Sequence, residues 1–205
     1  ESTGALNSDL VRMLTQEADM AGFAARQPLI KKPGKKWSYS SGTTNILSRI
    51  LRHAINDDQD YWTFPSRALF APLGMTTAVL ESDNSGTLVG SSLAWASGRD
   101  WARFGQLYLD QGRWNGKQLL PANWVKRART ASRGSKKGYG AHWWLSRRKS
   151  RPDLPNNSFS AEGYQGQLLL IAPSQRAVIV RLGQTPNKAG FDANAFGADV
   201  LSALR

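Results

Sequence analysis

The chain has 205 residues, with 27 Lys and Arg against 15 Asp and Glu for a formal charge of +12, and 40% of it is hydrophobic. A chain of this length and content can bury a core, which excludes disorder and makes one globular unit, or a large piece of one, the expectation. It has no cysteine, and His53 and His142 are its only imidazoles, so disulfides, thiolate catalysis and zinc sites built from Cys or mainly from His are excluded.

Leu10, Val11, Leu14 and Ala18 predict a short first helix capped by Asn7 or Ser8. Pro28 and the run Lys31-Lys32-Pro33-Gly34-Lys35-Lys36 read as an exposed loop leading into Trp37-Ser38-Tyr39. Ile46, Leu47, Ile50, Leu51, Ala54 and Ile55 predict an amphipathic helix over 43–56, with that face inward and Ser41 or Thr43 as its cap. Trp62, Phe64, Leu69 and Phe70 predict a packed helical segment stopped by Pro72-Leu73-Gly74, and residues 76–93 read as a long irregular connection. Residues 100–110 predict a strong helix with Trp101, Phe104, Leu107 and Tyr108 inward and Ser97 as its cap. Gly112 and Gly116 mark turns around Trp114, and Pro121 opens a short helix holding Trp124 and Val125.

After Gly138 the pattern changes to strands over 139–145, 157–162, 167–172 and 177–182, with Pro173-Ser174-Gln175-Arg176 as a hairpin turn. Residues 191–204 predict a last helix beginning near Asp192 or Asn194, with Phe196, Val200, Leu201 and Leu204 available for packing. Helices followed by a small antiparallel sheet and a C-terminal helix make an α+β fold. The expected division is a mainly helical region over 1–137 and a sheet with the C-terminal helix over 138–205.

The chemistry centres on Tyr39-Ser40-Ser41-Gly42, set directly before a helix start. A phenol has a pKa of about 10 and is a poor base at neutral pH. Beside helix-terminal amides, a hydroxyl and an ammonium its phenolate form is favoured, so Tyr39 becomes usable as a base or proton shuttle.

Tyr39-Ser40-Ser41 resembles the Tyr-x-Asn motif of the serine beta-lactamase-like hydrolases, which include class C beta-lactamases, DD-peptidases, related esterases and nylon-oligomer amidases. The context from Pro33 through Gly42 to Asn45 and Leu47, the Asp100-Trp101-Ala102-Arg103-Phe104-Gly105 helix, Leu119-Leu120-Pro121 and Trp124-Val125 are similar to landmarks of that family over most of the chain. The family's third motif, Lys-Thr-Gly or His-x-Gly, finds its best match in Tyr164-Gln165-Gly166-Gln167. The resemblance implies that Tyr39 shuttles a proton and that Ser41 and Tyr164 arrange its hydrogen bonds. It further implies that Gln165 and Gly166 border the substrate and that the Gln167 N–H serves the oxyanion hole. Ser41 in place of asparagine and Tyr164 in place of a cation shift the expectation from beta-lactams and peptide termini toward other esters or amides.

The family nucleophile is the serine of Ser-x-x-Lys on a buried helix preceding the tyrosine motif. The sole such string here, Ser146-Arg147-Arg148-Lys149, follows Tyr39 and lies in a hydrophilic run, so it reads as accidental. The expectation is therefore an incomplete beta-lactamase/transpeptidase-like fold, the later part of a longer hydrolase. A missing N-terminal segment or a complementary chain would complete it, and the chain alone would be inactive. The abrupt start at Glu1, without methionine, fits a processed product or interior piece.

No cofactor is expected. Asp57, Asp58 and Asp60 lack calcium-loop spacing, and no phosphate-binding or dinucleotide glycine fingerprint is present. His53 and His142 read as packing residues, and no Gly-x-Ser-x-Gly elbow occurs. No run approaches the roughly 20 apolar residues of a membrane span, and Glu1-Ser2-Thr3-Gly4 does not read as a signal peptide. A periplasmic or secreted location is implied by the resemblance alone. The basic clusters favour anionic partners, but without a zinc-finger, RNA-binding or recognition-helix pattern they read as solvated surface rather than a nucleic-acid footprint. A noncatalytic ligand- or peptide-binding protein of the same fold is the alternative function.

Overall fold

The computed structural model describes residues 8–136, 138–147, 149–186 and 190–204. Two compact units are present, Glu1–Ala96 and Ser97–Arg205.

The first unit holds helices α1 (Asp9–Gln16), α2 (Met20–Ala25), α3 (Ser41–Ile55), α4 (Asp58–Pro65) and the short α5 (Ala71–Leu73), with a π-helical turn at Ser66–Phe70 between α4 and α5. Strands β1 (Val79–Leu80) and β2 (Ala94–Trp95) pair antiparallel, so the expected irregular connection carries a small ribbon. Ser8 caps α1 as expected, by accepting from the Val11 N–H. The sequence reading did not anticipate α2, whose cap Asp19 accepts from the Gly22 N–H at 2.7 Å.

Helix α3 forms where its periodicity predicts it, but it buries a different face. Gly42 and Asn45 are buried, whereas Leu47, Ile50 and Leu51 are exposed. Close approach to α2 is the cause: a Cβ on Gly42 would stand 2.9 Å from the Ala24 Cβ. Asn45 fills the next turn, accepting from the Ser91 N–H at 3.3 Å, with its amide nitrogen 3.9 Å from both Met13 and Met20 sulfurs. Along α4 the buried ring is Tyr61, and the expected anchor Trp62 is exposed. The Tyr61 hydroxyl accepts from the Leu88 N–H at 2.9 Å, and burial raises its pKa.

The second unit begins with α6 (Gly98–Leu109), capped by Ser97 as expected. Strands β3 (Arg113–Trp114) and β4 (Lys117–Gln118) form a hairpin, and α7 (Ala122–Ala128) follows Pro121. Strands β5 (Trp144–Leu145), β6 (Phe159–Glu162), β7 (Leu168–Ala172) and β8 (Ala177–Arg181) then form an antiparallel sheet in the order β5-β6-β7-β8. The expected strand over 139–145 is reduced to β5 and a Tyr139–Trp144 bridge, because His142, with φ of 64°, turns the chain between them. Asp192 caps the last helix, α8 (Ala193–Ala203), and Leu204 beyond it is exposed rather than packed.

Strand β7 is buried along its whole length, which explains its unbroken apolar run Leu-Leu-Leu-Ile-Ala. Leu169 and Ile171 face a core containing Tyr108, Val125, Trp143 and Phe159. Leu168, Leu170 and Ala172 face one containing Leu154, Ile179 and Leu201 of α8. Gly105 lets α6 lie close to the sheet, since a Cβ there would meet Val178 Cγ1 at 2.5 Å. Helices α6 and α7 pack on the sheet within the second unit.

Candidate active site

Tyr39 and Ser41 lie in the first unit, and Tyr164, Gln165, Gly166 and Gln167 in the second. Each group is assembled locally.

In the first, Tyr39 lies two residues before α3, outside any helix or strand, and is 46% exposed. Ser40, and not the expected Ser41 or Thr43, caps α3: its backbone is extended (φ −149°, ψ 117°) and its Oγ accepts from the Thr43 N–H at 3.2 Å. Only a residue just outside the helix has the backbone geometry for this bond, which makes Ser41 the first helical residue, partly buried. The helix is held below by the Arg49–Asp19 ion pair. The Asp19 carboxyl feels desolvation that would raise its pKa, but the Gly22 N–H and Arg49 outweigh it and hold it below the usual carboxylate value. Asp83 is buried in the same unit. Its carboxylate accepts from the N–H groups of Met20, Ser85 and Thr87, each at 3.0 Å, and from the Ser85 hydroxyl at 2.6 Å.

The second group is the turn between β6 and β7. Gln165 (φ 56°) and Gly166 (φ 82°) are both left-handed, and Tyr164 is 73% exposed. At Gly166 a side chain is also excluded by space, since a Cβ would meet Arg181 Nη1 at 2.9 Å and Phe191 at 3.0 Å. The Gln167 N–H is directed into the turn, toward the Tyr164 carbonyl at 3.4 Å. Its side chain clamps the chain just beyond β8: Nε2 donates to the Gly183 carbonyl at 2.7 Å and Oε1 accepts from the Gly183 N–H at 3.2 Å. Gly163 donates its N–H to the Gln167 carbonyl at 2.9 Å, which carries the β6–β7 pairing one residue past Glu162. On the other side of β6, β5 pairs only with Phe159 and Ser160, which leaves the Ala161–Glu162 edge of β6 without a strand neighbour among the described residues.

Sequence reasoning missed the residues that hold this turn. Arg181 donates to the Gly166 carbonyl at 2.7 Å and to Thr185 Oγ1 at 2.5 Å, and stacks 4.1 Å from the Phe191 ring centre. The Thr185 N–H donates to the Gln165 carbonyl at 3.0 Å. An arginine ending an apolar strand just across a hairpin from a glycine turn is the one signal that could have found this network.

Ser146 of the Ser-x-x-Lys string follows β5, outside any helix, with its hydroxyl buried and without a hydrogen-bond partner; Arg148 lies outside the described residues. Among the described residues no group of three His, Cys, Asp or Glu side chains could hold a metal, and no helix is long and apolar enough to cross a membrane.

Solved structures share this fold. A protein carrying the provisional name 6-aminohexanoate-dimer hydrolase, from Bacillus anthracis, is 26% identical with a TM-score of 0.70, over 89% of this chain and 48% of its own. A beta-lactamase from Mycobacterium bovis is 18% identical with a TM-score of 0.67, over 86% of this chain and 67% of its own. Simvastatin synthase from Aspergillus terreus is 13% identical with a TM-score of 0.64, over 97% of this chain and 62% of its own. The chain thus spans about half the length of the first of these. No curated protein matches it significantly. The family model described as Beta-lactamase matches residues 2–203, and the chain belongs to the beta-lactamase family.

Proposed function

We propose that this chain is the later part of a serine hydrolase that cleaves small esters or amides through an acyl-enzyme, its nucleophile supplied by a segment or chain outside this sequence. The observation that carries the reading is the Tyr39-Ser40-Ser41-Gly42 motif at the start of α3, with a half-exposed phenol ahead of a helix whose first turn is capped by Ser40. The lengths of the relatives and the non-helical setting of Ser146 support the absence of the nucleophile.

In the complete enzyme a serine Oγ would attack the acyl carbon, and its proton would pass by way of Tyr39 to the leaving group. Ser41 would support the hydrogen bonding of the phenol. The developing oxyanion would accept a main-chain N–H from the turn at 164–167. The Gln167 N–H would serve this role on leaving the Tyr164 carbonyl, 3.4 Å away. The Tyr164 phenol, where the family places a cation, would donate a hydrogen bond without attracting a carboxylate, which favours neutral esters and amides over beta-lactams. Gln165 and Gly166 would border the bound acyl group.

Co-expression with a segment bearing a Ser-x-x-Lys helix tests this. Hydrolysis of p-nitrophenyl butyrate should appear and fall roughly a hundredfold or more in Tyr39→Phe, the scale of a lost proton-transfer group. Full activity in Tyr39→Phe would remove the phenol from the mechanism. The non-helical Ser146 also favours a second reading, a noncatalytic protein that binds such ligands. It requires saturable binding of the ester without covalent labelling.

A further inference from the structure

The second unit contains a concavity that the proposed chemistry does not use. Between α7 and the β5–β6 pair lies a cavity of about 710 Å³, lined among others by Asn123, Lys126, Arg129, Arg147, Asn157 and Ser158. It adjoins the Phe159 end of β6, whereas the turn at Tyr164 follows the Glu162 end.

Among the described residues three cationic side chains line it and no Asp or Glu does. Among the described residues none of the three is in an ion pair. Arg129 is the informative one. Its guanidinium is stacked 4.9 Å from the Phe159 ring centre, and its one hydrogen bond among the described residues, to the Asn157 carbonyl, is long at 3.5 Å. Desolvation lowers its pKa, so the cation is held partly out of water with no counter-charge. A solvated basic surface would extend such a residue into solvent. The Ser158 hydroxyl in the same wall is buried and has no hydrogen-bond partner. A half-buried unpaired guanidinium, two flanking cations, an unused hydroxyl and two amides supply the donors that a phosphate dianion and neighbouring hydroxyls require. The volume falls in the range of small-ligand sites, about 300–1,000 Å³.

We propose that this cavity binds a phosphomonoester carried on a small polyhydroxylated molecule, with Lys126, Arg129 and Arg147 holding the phosphate and Asn123 and Asn157 the hydroxyls.

The test is calorimetric titration of the full chain with glucose 6-phosphate, inorganic phosphate and citrate at low ionic strength. Three variants are compared: Lys126→Gln/Arg147→Gln, Arg129→Lys, and a basic control far along the sequence, Lys31→Gln/Lys32→Gln. Glucose 6-phosphate should bind with one-to-one stoichiometry and more tightly than inorganic phosphate or citrate. Its affinity should drop roughly tenfold or more in Lys126→Gln/Arg147→Gln, the scale of one lost charge-assisted hydrogen bond. Arg129→Lys keeps the charge but loses the planar fork, and should weaken phosphate binding while the melting temperature stays close to that of the parent. No saturable binding, equal affinity for citrate, or an equal loss in the Lys31/Lys32 control would each overturn the proposal, the last by showing general attraction to a basic protein.

Discussion

Arg181 donates from Nη1 to the Gly166 carbonyl at 2.7 Å, tying the last residue of β8 to a left-handed turn position where a side chain has no room. The same guanidinium reaches Thr185, whose N–H returns to Gln165, so two left-handed residues are fixed by one side chain. Arg181→Met should release the turn. Amide exchange at Thr185 should accelerate roughly tenfold or more, as expected for about 1.4 kcal/mol of lost local stability, and Arg181→Lys should restore only part of the protection. Unchanged exchange in Arg181→Met would show that the turn holds itself.

Asp83 should be the most sensitive polar residue of the first unit. Asp83→Ala leaves the N–H groups of Met20, Ser85 and Thr87 without their acceptor in a buried setting. A loss of about 2–4 kcal/mol is expected, measured as a lower urea midpoint at unchanged slope.

The Arg49–Asp19 pair should make stability depend on acid. The folded-state pKa of Asp19 is depressed, so its contribution is fully present above the unfolded carboxylate value of about 3.9 and is lost as pH falls through the folded value. Asp19→Asn should therefore be less stable than the parent at pH 6, and the two melting curves should converge as pH falls through the folded value. Because the pair is partly exposed, 0.5 M salt should shrink the pH 6 difference.

Two glycines of α6 should respond in opposite ways to alanine. At Gly105 the new methyl meets Val178 at 2.5 Å and Leu169 at 2.9 Å, an overpacking cost of about 1–3 kcal/mol that exceeds the gain of about 1 kcal/mol in helix propensity. At Gly98 the nearest atom is Leu182 Cδ1 at 3.7 Å, ordinary contact, so Gly98→Ala should be neutral or stabilising. Thermal denaturation of the two variants checks the contrast.

Local signals were legible in the sequence and long-range ones were not. Helical spacing located α3 and α6, residue type picked out the cap Ser97 and narrowed the starts of α1 and α8 to Asn7 or Ser8 and Asp192 or Asn194, and the hairpin turn before β8 was read from Pro173-Ser174-Gln175-Arg176. The buried face of α3 was misread because hydrophobicity pointed to Leu47 and Ile50. The face actually buried carries Gly42 and Asn45, chosen by the nearness of Ala24 and by Ser91, 46 residues away. Helix α2 escaped because Met-Ala-Gly-Phe-Ala-Ala, only six residues long, has no polar face to show a period. In the candidate site, Tyr39 and the glycine turn were visible as motifs. Arg181 and the Gln167 clamp were not, since their roles follow from strand register rather than from sequence neighbours.

The central claim is that this chain carries part of a serine hydrolase but not its nucleophile. Intact mass under denaturing conditions, for every polypeptide copurifying with the chain, before and after exposure to a fluorophosphonate probe, addresses it directly. The account expects the 22.6 kDa chain to remain unmodified, while a longer form or a complementary segment gains one probe mass. A single stoichiometric adduct on the 22.6 kDa chain itself would place an activated serine within these 205 residues and contradict the account.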